Sequence, residues 1–223
     1  MSSWSTANGT ESYQFDQGSR ISQVQNPLGT FNLSYLGATD QITQIAYPNG
    51  TSENYSYLPN NQDRRLSQLA FTGPNGNIST YGYQYNPVGT ISQWSVQTAS
   101  NGQTKTFSPD YDAADQLVSS LVQITNGSAS TQSQYGYTYD NAGNRTGFQS
   151  DLTVASAQAN SLNQLTQVTT GQGPLTVFGN TNRPSTVSVN GVSAKNLPNN
   201  SFSAQIPVSS GQNTITVTAR GSG

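Results

Sequence analysis

The sequence contains no histidine and no cysteine, and only 8% of its 223 residues carry charge. Without cysteine there is no disulfide and no thiolate metal site. Without histidine or cysteine the usual nucleophile–base pairs are missing. No Gly-x-Ser-x-Gly elbow stands in for them, so no catalysis and no cofactor is expected. Lys and Arg together number 8 against 10 acidic residues, and the only adjacent basic pair is Arg64-Arg65. A phosphate-binding surface needs several clustered cations, which argues against a nucleic-acid partner. No apolar run approaches the roughly 18 residues of a membrane helix, so membrane insertion is not expected. The first residues, MSSWSTANGTESYQFD, have neither the basic nor the apolar region of a signal peptide.

Uncharged polar residues fill the space instead. Ser, Thr, Asn and Gln make up nearly half of the chain. Such a composition can signal disorder or prion-like character. Here aromatic and apolar residues recur in register with turn residues, which favours ordered β structure.

The recurrence is a repeat. Residues 135–147 read YGYTYDNAGNRTG, and diluted copies lie along the chain, among them YQFDQGSRISQV from Tyr13 and YQYNPVGTISQW from Tyr83. Aligned on the aromatic before the turn, about seven copies place Phe15, Tyr35, Tyr57, Tyr85, Tyr111, Tyr139 and Ala159 at one position. Tyr-x-Tyr, as at Tyr83/Tyr85 and Tyr137/Tyr139, is a period-2 signal that puts both rings on one sheet face. Asp or Asn follows, at Asp16, Asp112 and Asp140 for example, and bonds its own backbone in a turn. A glycine late in the turn, as at Gly89 and Gly143, supplies positive φ. A return strand then begins near Ile21, Ile42, Leu66, Ile91 and Leu117. Leu36, Leu58 and Ser161 are read as replacing the Asp. A second set of turns lies between copies, at Asn8-Gly9, Pro48-Asn49-Gly50, Pro74-Asn75-Gly76, Asn101-Gly102 and Asn126-Gly127. Asn-Gly is the strongest short hairpin signal. The stretch DLTVASAQANSLNQL has some helical character, but its place in the repeat makes it a degenerate hairpin. The expectation is a long antiparallel meander with tyrosine on one face.

This pattern resembles the YD or RHS repeat, whose core is Tyr-Asp-x-x-Gly-Arg-Leu. The match is best at Tyr139-Asp140-Asn141-Ala142-Gly143-Asn144-Arg145 and good at Tyr111-Asp112-Ala113-Ala114-Asp115-Gln116-Leu117. The resemblance implies an open, curved, spiral sheet of hairpins from a bacterial extracellular or cell-surface protein, secreted as part of a larger chain or with its signal removed. It implies a structural role, in a shell or fibre, with flanking repeats or other copies of the chain as partners. Arg20 and Arg145 match the family's Arg and are expected to bond neighbouring hairpins. The alternatives are a surface adhesin holding carbohydrate on its tyrosine face, and part of a toxin-encapsulating shell. The family's Asp-Pro-x-Gly core motif does not occur.

Near residue 170 the tyrosine pattern stops. Val187, Val189 and Val192 flank Asn190-Gly191; Phe202, Ala204 and Ile206 alternate, as do Ile215, Val217 and Ala219. Two domains are therefore expected, a repeat array over 1–168 and a small Ig-like or prealbumin-like β-sandwich over 169–223. So small a sandwich is marginal alone and should dock on the repeats.

Among single residues, Trp94 and Trp4 are the candidate glycan-stacking positions, whereas the tyrosines are read as packing the sheet and bonding one another. Asp110, Asp112 and Asp115 lie close in sequence, but turn chemistry accounts for two of them, so no metal site is expected. Asn8, Asn49 and Asn126 are sequon asparagines in turns and are candidate glycosylation sites.

Overall fold

The structure, a computed structural model, describes the backbone of residues 2–6 and residues 9–197 and 199–221 in full. The fold is all-β. The only helical turn among the described residues is a 3₁₀ turn at Asn60–Gln62. Fifteen strands form one sheet, in chain order. They are β1 (Ser2–Thr6), β2 (Gly9–Phe15), β3 (Ile21–Asn26), β4 (Gly29–Tyr35), β5 (Ile42–Ala46), β6 (Ser52–Tyr57), β7 (Leu66–Gly73) and β8 (Gly76–Tyr85). Then follow β9 (Ile91–Thr98), β10 (Thr104–Tyr111), β11 (Leu117–Asn126), β12 (Ala129–Tyr139), β13 (Arg145–Ser150), β14 (Thr153–Ala159) and β15 (Leu165–Thr170). The chain divides into two compact units, Met1–Thr106 with Ile124–Ser130, and Phe107–Gln123 with Thr131–Gly223.

The expected hairpins are all present as strands, including the Ala159 copy. Six of the repeat hairpins show the same irregularity. The register shifts by one residue just before the aligned position, at Gln14/Phe15, Ser34/Tyr35, Ser56/Tyr57, Gln84/Tyr85, Thr138/Tyr139 and Gln158/Ala159. Such a bulge bends the strand and increases its twist. Two turns at the other strand ends escaped sequence reading. One is Asp151-Leu152, between β13 and β14. In the other, Asn26-Pro27-Leu28-Gly29 closes β3 on β4, with the Asn26 side chain accepting from the Leu28 amide at 2.9 Å.

Directly opposed residues of an antiparallel pair share a face, so the register sorts the side chains of the first unit. One face carries Tyr13, Val24 and Phe31, then Leu33, Ile45 and Glu53, then Tyr55, Leu69, Tyr81 and Val96, with Tyr83 opposite Trp94. Rings meet edge to face there, Phe31 on Tyr47 at 5.8 Å and Phe71 on Tyr81 at 6.0 Å. The other face is a ladder of amides. Gln14 donates to Gln23 at 2.7 Å, Gln23 to Asn32 at 3.0 Å, Gln44 to Asn54 at 2.8 Å and Gln84 to Gln93 at 3.2 Å. The abundance of Asn and Gln therefore serves cross-strand pairing. No described residue of this unit is fully buried, as befits a sheet one layer thick.

Successive inter-copy turns also touch. A Cβ built on Gly29 would lie 2.5 Å from Pro48, one on Gly9 2.4 Å from Pro27, and one on Gly50 3.2 Å from Pro74. Each of these prolines rests on the glycine of the turn before it, and at Gly9 and Gly29 only a glycine admits that approach.

In the second unit the last hairpins join a small sandwich. Its strands are β16 (Gly173–Asn180), β17 (Ser185–Val189), β18 (Val192–Ser193), β19 (Lys195–Leu197), β20 (Ser201–Val208) and β21 (Val217–Gly221). They form two three-stranded sheets, β16-β20-β19 and β18-β17-β21. Asn190 and Gly191, at φ 48° and 81°, make the two-residue hairpin between β17 and β18. Leu175, Val187, Val189, Phe202, Ala204 and Ile206 form the core, and Val154 of β14 belongs to the same cluster. Gln149 of β13 is fully buried and brackets Thr176, accepting from its amide at 2.5 Å and donating to its carbonyl at 2.9 Å. The sandwich is thus docked on the hairpins. Gly147 admits it, since a Cβ there would lie 2.4 Å from Pro174. Ile215 and Val217, expected to form an apolar face, remain 39% and 47% exposed. β21 is an edge strand, and among the described residues no strand lies beyond it.

The Gly29–Pro48 contact yields a prediction. Gly29→Ala should lower the stability of the first unit by about 1–3 kcal/mol more than Gly76→Ala. Both glycines have positive φ, 124° and 105°, but nothing lies within 4 Å of a Cβ at Gly76. Urea denaturation measures the difference, and adding Pro48→Ala should recover most of it.

Candidate functional site

Four of the five tyrosines at the aligned position share one contact. The Tyr35 hydroxyl donates to the Ile21 carbonyl at 2.7 Å, Tyr57 to Ile42 at 2.7 Å, Tyr85 to Leu66 at 2.8 Å and Tyr139 to Leu117 at 2.9 Å. Each acceptor is the first residue of the preceding hairpin's return strand. The rings therefore step across from one hairpin to the one before. The expectation that tyrosines bond one another is corrected here: a phenol two residues from its neighbour on the same face points along the sheet, and the carbonyl at the strand end lies within its reach. Burial raises the pKa of Tyr57, Tyr85, Tyr111 and Tyr139 above the ordinary value. Tyr13 is raised by burial first and then by Glu11.

The turn after each such residue is held from within. In the first hairpin the Asp16 carboxylate accepts from the Gly18 and Arg20 amides at 2.8 and 3.0 Å. Asp112 does the same for Ala114 and Gln116, and Asp140 for Ala142 and Asn144. Hydrogen bonds from Arg20 and from Asn144 are the main reason that Asp16 and Asp140 titrate below the usual carboxylate range. The residue closing the turn has positive φ, at Ser19, Gly89, Asp115, Gly143 and Asn163. In the last copy Asn160, not Ser161, holds the Asp place: its side chain accepts from the Leu162 and Gln164 amides at 2.9 and 3.1 Å. The sequence alignment missed this because Ala159 offers no ring to align on.

A third contact runs the other way. The residue just before the return strand reaches the next turn. Arg20 pairs with Asp16 at 2.6 Å, donates to the carbonyls of Gly37, at 2.9 Å, and Thr39, and lies 4.4 Å over the Tyr35 ring. Gln41 donates to the Arg64 carbonyl at 2.8 Å. Arg65 donates to the Asn86 carbonyl at 3.4 Å and lies 4.8 Å over Tyr85. Asn144 donates to Asn163 at 3.0 Å. The expected role of Arg20 is thus present. That of Arg145 is not: it occupies the next position, the first of β13, and its guanidinium lies 6.0 Å from the Tyr137 ring and 5.5 Å from Phe148 within its own hairpin. Asn144 makes the link instead.

Other charged groups serve the same architecture. Glu53 sits on the tyrosine face between two phenols, accepting from Tyr47 at 2.6 Å and from Tyr55. The Glu53 hydrogen bond is the main cause that raises Tyr47, whereas burial comes first for Tyr55. Asp110 forms a two-point ion pair with Lys195 at 2.6 and 2.7 Å, which ties β19 to β10. Of the carboxylate trio, Asp110 holds a lysine, Asp112 a turn and Asp115 a positive φ. Among the described residues no three His, Cys, Asp or Glu side chains converge.

Trp94 is half-buried on the tyrosine face opposite Tyr83. The side chain of Trp4 and the whole of Asn8 lie outside the described residues. Asn49 is exposed in a turn, and Asn126 is the exposed last residue of β11. The Asn49 side-chain oxygen accepts from the Thr51 hydroxyl at 2.7 Å.

No family model matches the chain, and no curated protein matches it. Among solved structures it is similar to a porin-like protein from Bacteroides uniformis, at 12% identity, over 95% of this chain and 90% of that one, with a TM-score of 0.35. A likeness at that score carries no argument.

The tyrosine contacts make stability depend on alkaline pH. A phenolate cannot donate to a carbonyl, and burial favours the neutral ring. For Tyr57, Tyr85 and Tyr139 the folded pKa lies above the unfolded value, so their contribution is complete below about pH 10 and is lost as pH rises through the folded pKa. Phenolate absorbance and β circular dichroism should therefore change together above that point. Tyr57→Phe or Tyr139→Phe, which keeps the ring, should lower stability by about 0.5–1.5 kcal/mol each at neutral pH, read by urea denaturation.

Proposed function

We propose that this chain is a non-enzymatic structural segment of an extracellular or cell-surface shell or fibre, built from hairpins of the Tyr-Asp repeat type. The observation that carries the reading is the use of the repeat's polar residues. The tyrosine, the turn Asp and the residue before the return strand all hold one hairpin or join it to the next. Side chains committed in this way make a material, extended by adding units, rather than a reaction centre. The terminal strand β15 pairs on one side only, with Leu165 and Val168 66% and 55% exposed. An uncovered edge with few charges recruits further strands, from flanking repeats or from other copies.

Imaging the purified chain by negative-stain electron microscopy across a concentration series, with mass photometry alongside, should show filaments or rings that grow with concentration. Val168→Lys should suppress them without changing the circular dichroism. Compact monomers at every concentration would remove self-assembly and leave the segment dependent on flanking repeats.

A second reading has its own observation. Tyr83 and Trp94 stand opposite each other on a face that is only half-buried, and aromatic platforms of this kind stack on sugars. If that face holds carbohydrate, oligosaccharide at millimolar levels should quench tryptophan fluorescence, and Trp94→Ala should abolish the response.

A further inference from the structure

The ladder of tyrosine contacts has a gap. In the last hairpin Ala159 stands at the aligned position, opposite Leu165 across the same bulge that precedes Tyr35, Tyr57, Tyr85 and Tyr139. In four of the other copies the hydroxyl of that residue donates to the carbonyl at the start of the preceding return strand. Here the corresponding carbonyl belongs to Arg145, at the start of β13. The β13–β14 ladder begins only at Gly147 opposite Ser156, and an alanine methyl offers the carbonyl no donor.

A half-open groove lies beside the gap. A space of about 500 Å³ lies over β12 to β15, lined by Tyr139, Arg145, Phe148, Ala159, Leu165 and Val168 among others. That volume is within the usual range for small-ligand sites. Its wall combines aromatic rings, exposed aliphatic side chains and one guanidinium. Arg145 forms no ion pair among the described residues, and its cation is placed to face a further ring.

We propose that this gap is a binding site for a phenol, with the ring in the place the missing tyrosine would fill and the hydroxyl donating to the Arg145 carbonyl. The occupant is identified by the sister copies, which show four times what fills this position. A phenol reaches the site in two forms, as a free small molecule or as a tyrosine side chain presented by an extended peptide.

The test uses the full chain. p-Cresol is titrated while the methyl resonances of Ala157, Ala159, Leu165 and Val168 are followed by NMR, with toluene as the ligand lacking the hydroxyl. Saturable shifts at those methyls, with an affinity on the order of millimolar and toluene at least several-fold weaker, are expected. An acetylated and amidated Thr-Tyr-Thr peptide separates the sources. Tighter binding than p-cresol assigns the site to a tyrosine side chain, and equal or weaker binding assigns it to a free phenol. Ala159→Tyr should raise the urea midpoint and weaken p-cresol at least tenfold, because the gap is then filled from within. The proposal is overturned by the absence of saturable shifts in the unmodified chain, by toluene binding as well as p-cresol, or by a folded Ala159→Tyr chain that binds unchanged.

Discussion

Over the first unit the sheet is one layer thick and has no second sheet to bury itself against, so its cohesion has to come from within its own plane. The interaction that answers this constraint is the tyrosine hydroxyl bonded to the first carbonyl of the preceding return strand. That carbonyl stands beyond the end of the regular ladder, where a backbone acceptor would otherwise depend on water. Tyrosine is suited to the place because its body is apolar and its tip is polar. The ring covers the end of the neighbouring hairpin while the hydroxyl fixes where it lies. Phenylalanine would keep the first property and lose the second, and serine would keep only the second.

The rest of the repeat follows from holding that contact in register. The bulge before each aligned residue turns the strand end, and the Asp or Asn cage fixes the loop that follows. At Arg20, Gln41, Arg65 and Asn144 the residue ending the loop then reaches forward to the next one, so those hairpins are tied to the ones that follow. None of these links requires a net charge on the sheet. Amide pairs on the opposite face act in the same sense, since side-chain amides both donate and accept and can therefore bond along a row. Low charge and abundant Asn and Gln are consequences of this plan. A chain built on ion pairs would need alternating signs across every strand to avoid repulsion.

Much of this was legible in the sequence because it is local. Tyr-x-Tyr alternation, the turn Asp and the Asn-Gly pairs each act over a few residues, and they located the seven hairpins correctly. What could not be read was contact across the chain. Gly29 is a glycine with φ of 124°, which a turn alone would explain; that Pro48 rests on it needs the register of two further strands. Lys195 and Asp110 lie 85 residues apart and carry no pattern that pairs them. Gln149 reads as one more polar strand residue, and only the approach of β16 makes it the most buried side chain of its hairpin. Arg145 misled for a different reason. Its charge suggested the family's arginine, but counting from Asp140 puts Asn144 at that place, and position rather than charge decides which residue reaches the next turn. Asn160 was overlooked because the alanine before it removed the landmark.

The last hairpins depart from the plan on both faces at once. On the amide face, Gly136, Gly147 and Val154 replace the long polar side chains, and the sandwich packs there. On the tyrosine face, Ala155, Ala157 and Ala159 stand on β14 where β12 carries Tyr135, Tyr137 and Tyr139. The two changes act on different parts of the hairpin. Val154 and Gln149 hold the end of β13 and β14 that lies under the sandwich, whereas the turn at residues 160–164 lies at the opposite end, where the tyrosine contact is missing. That turn keeps only its internal cage and the single amide bond between Asn144 and Asn163. Leu162 and Leu165 beside it are 74% and 66% exposed. Local opening is easiest where apolar contacts are few and backbone bonds face water. The hairpin is therefore firmly anchored at one end and loosely held at the other, and the looser end is the one that borders the gap.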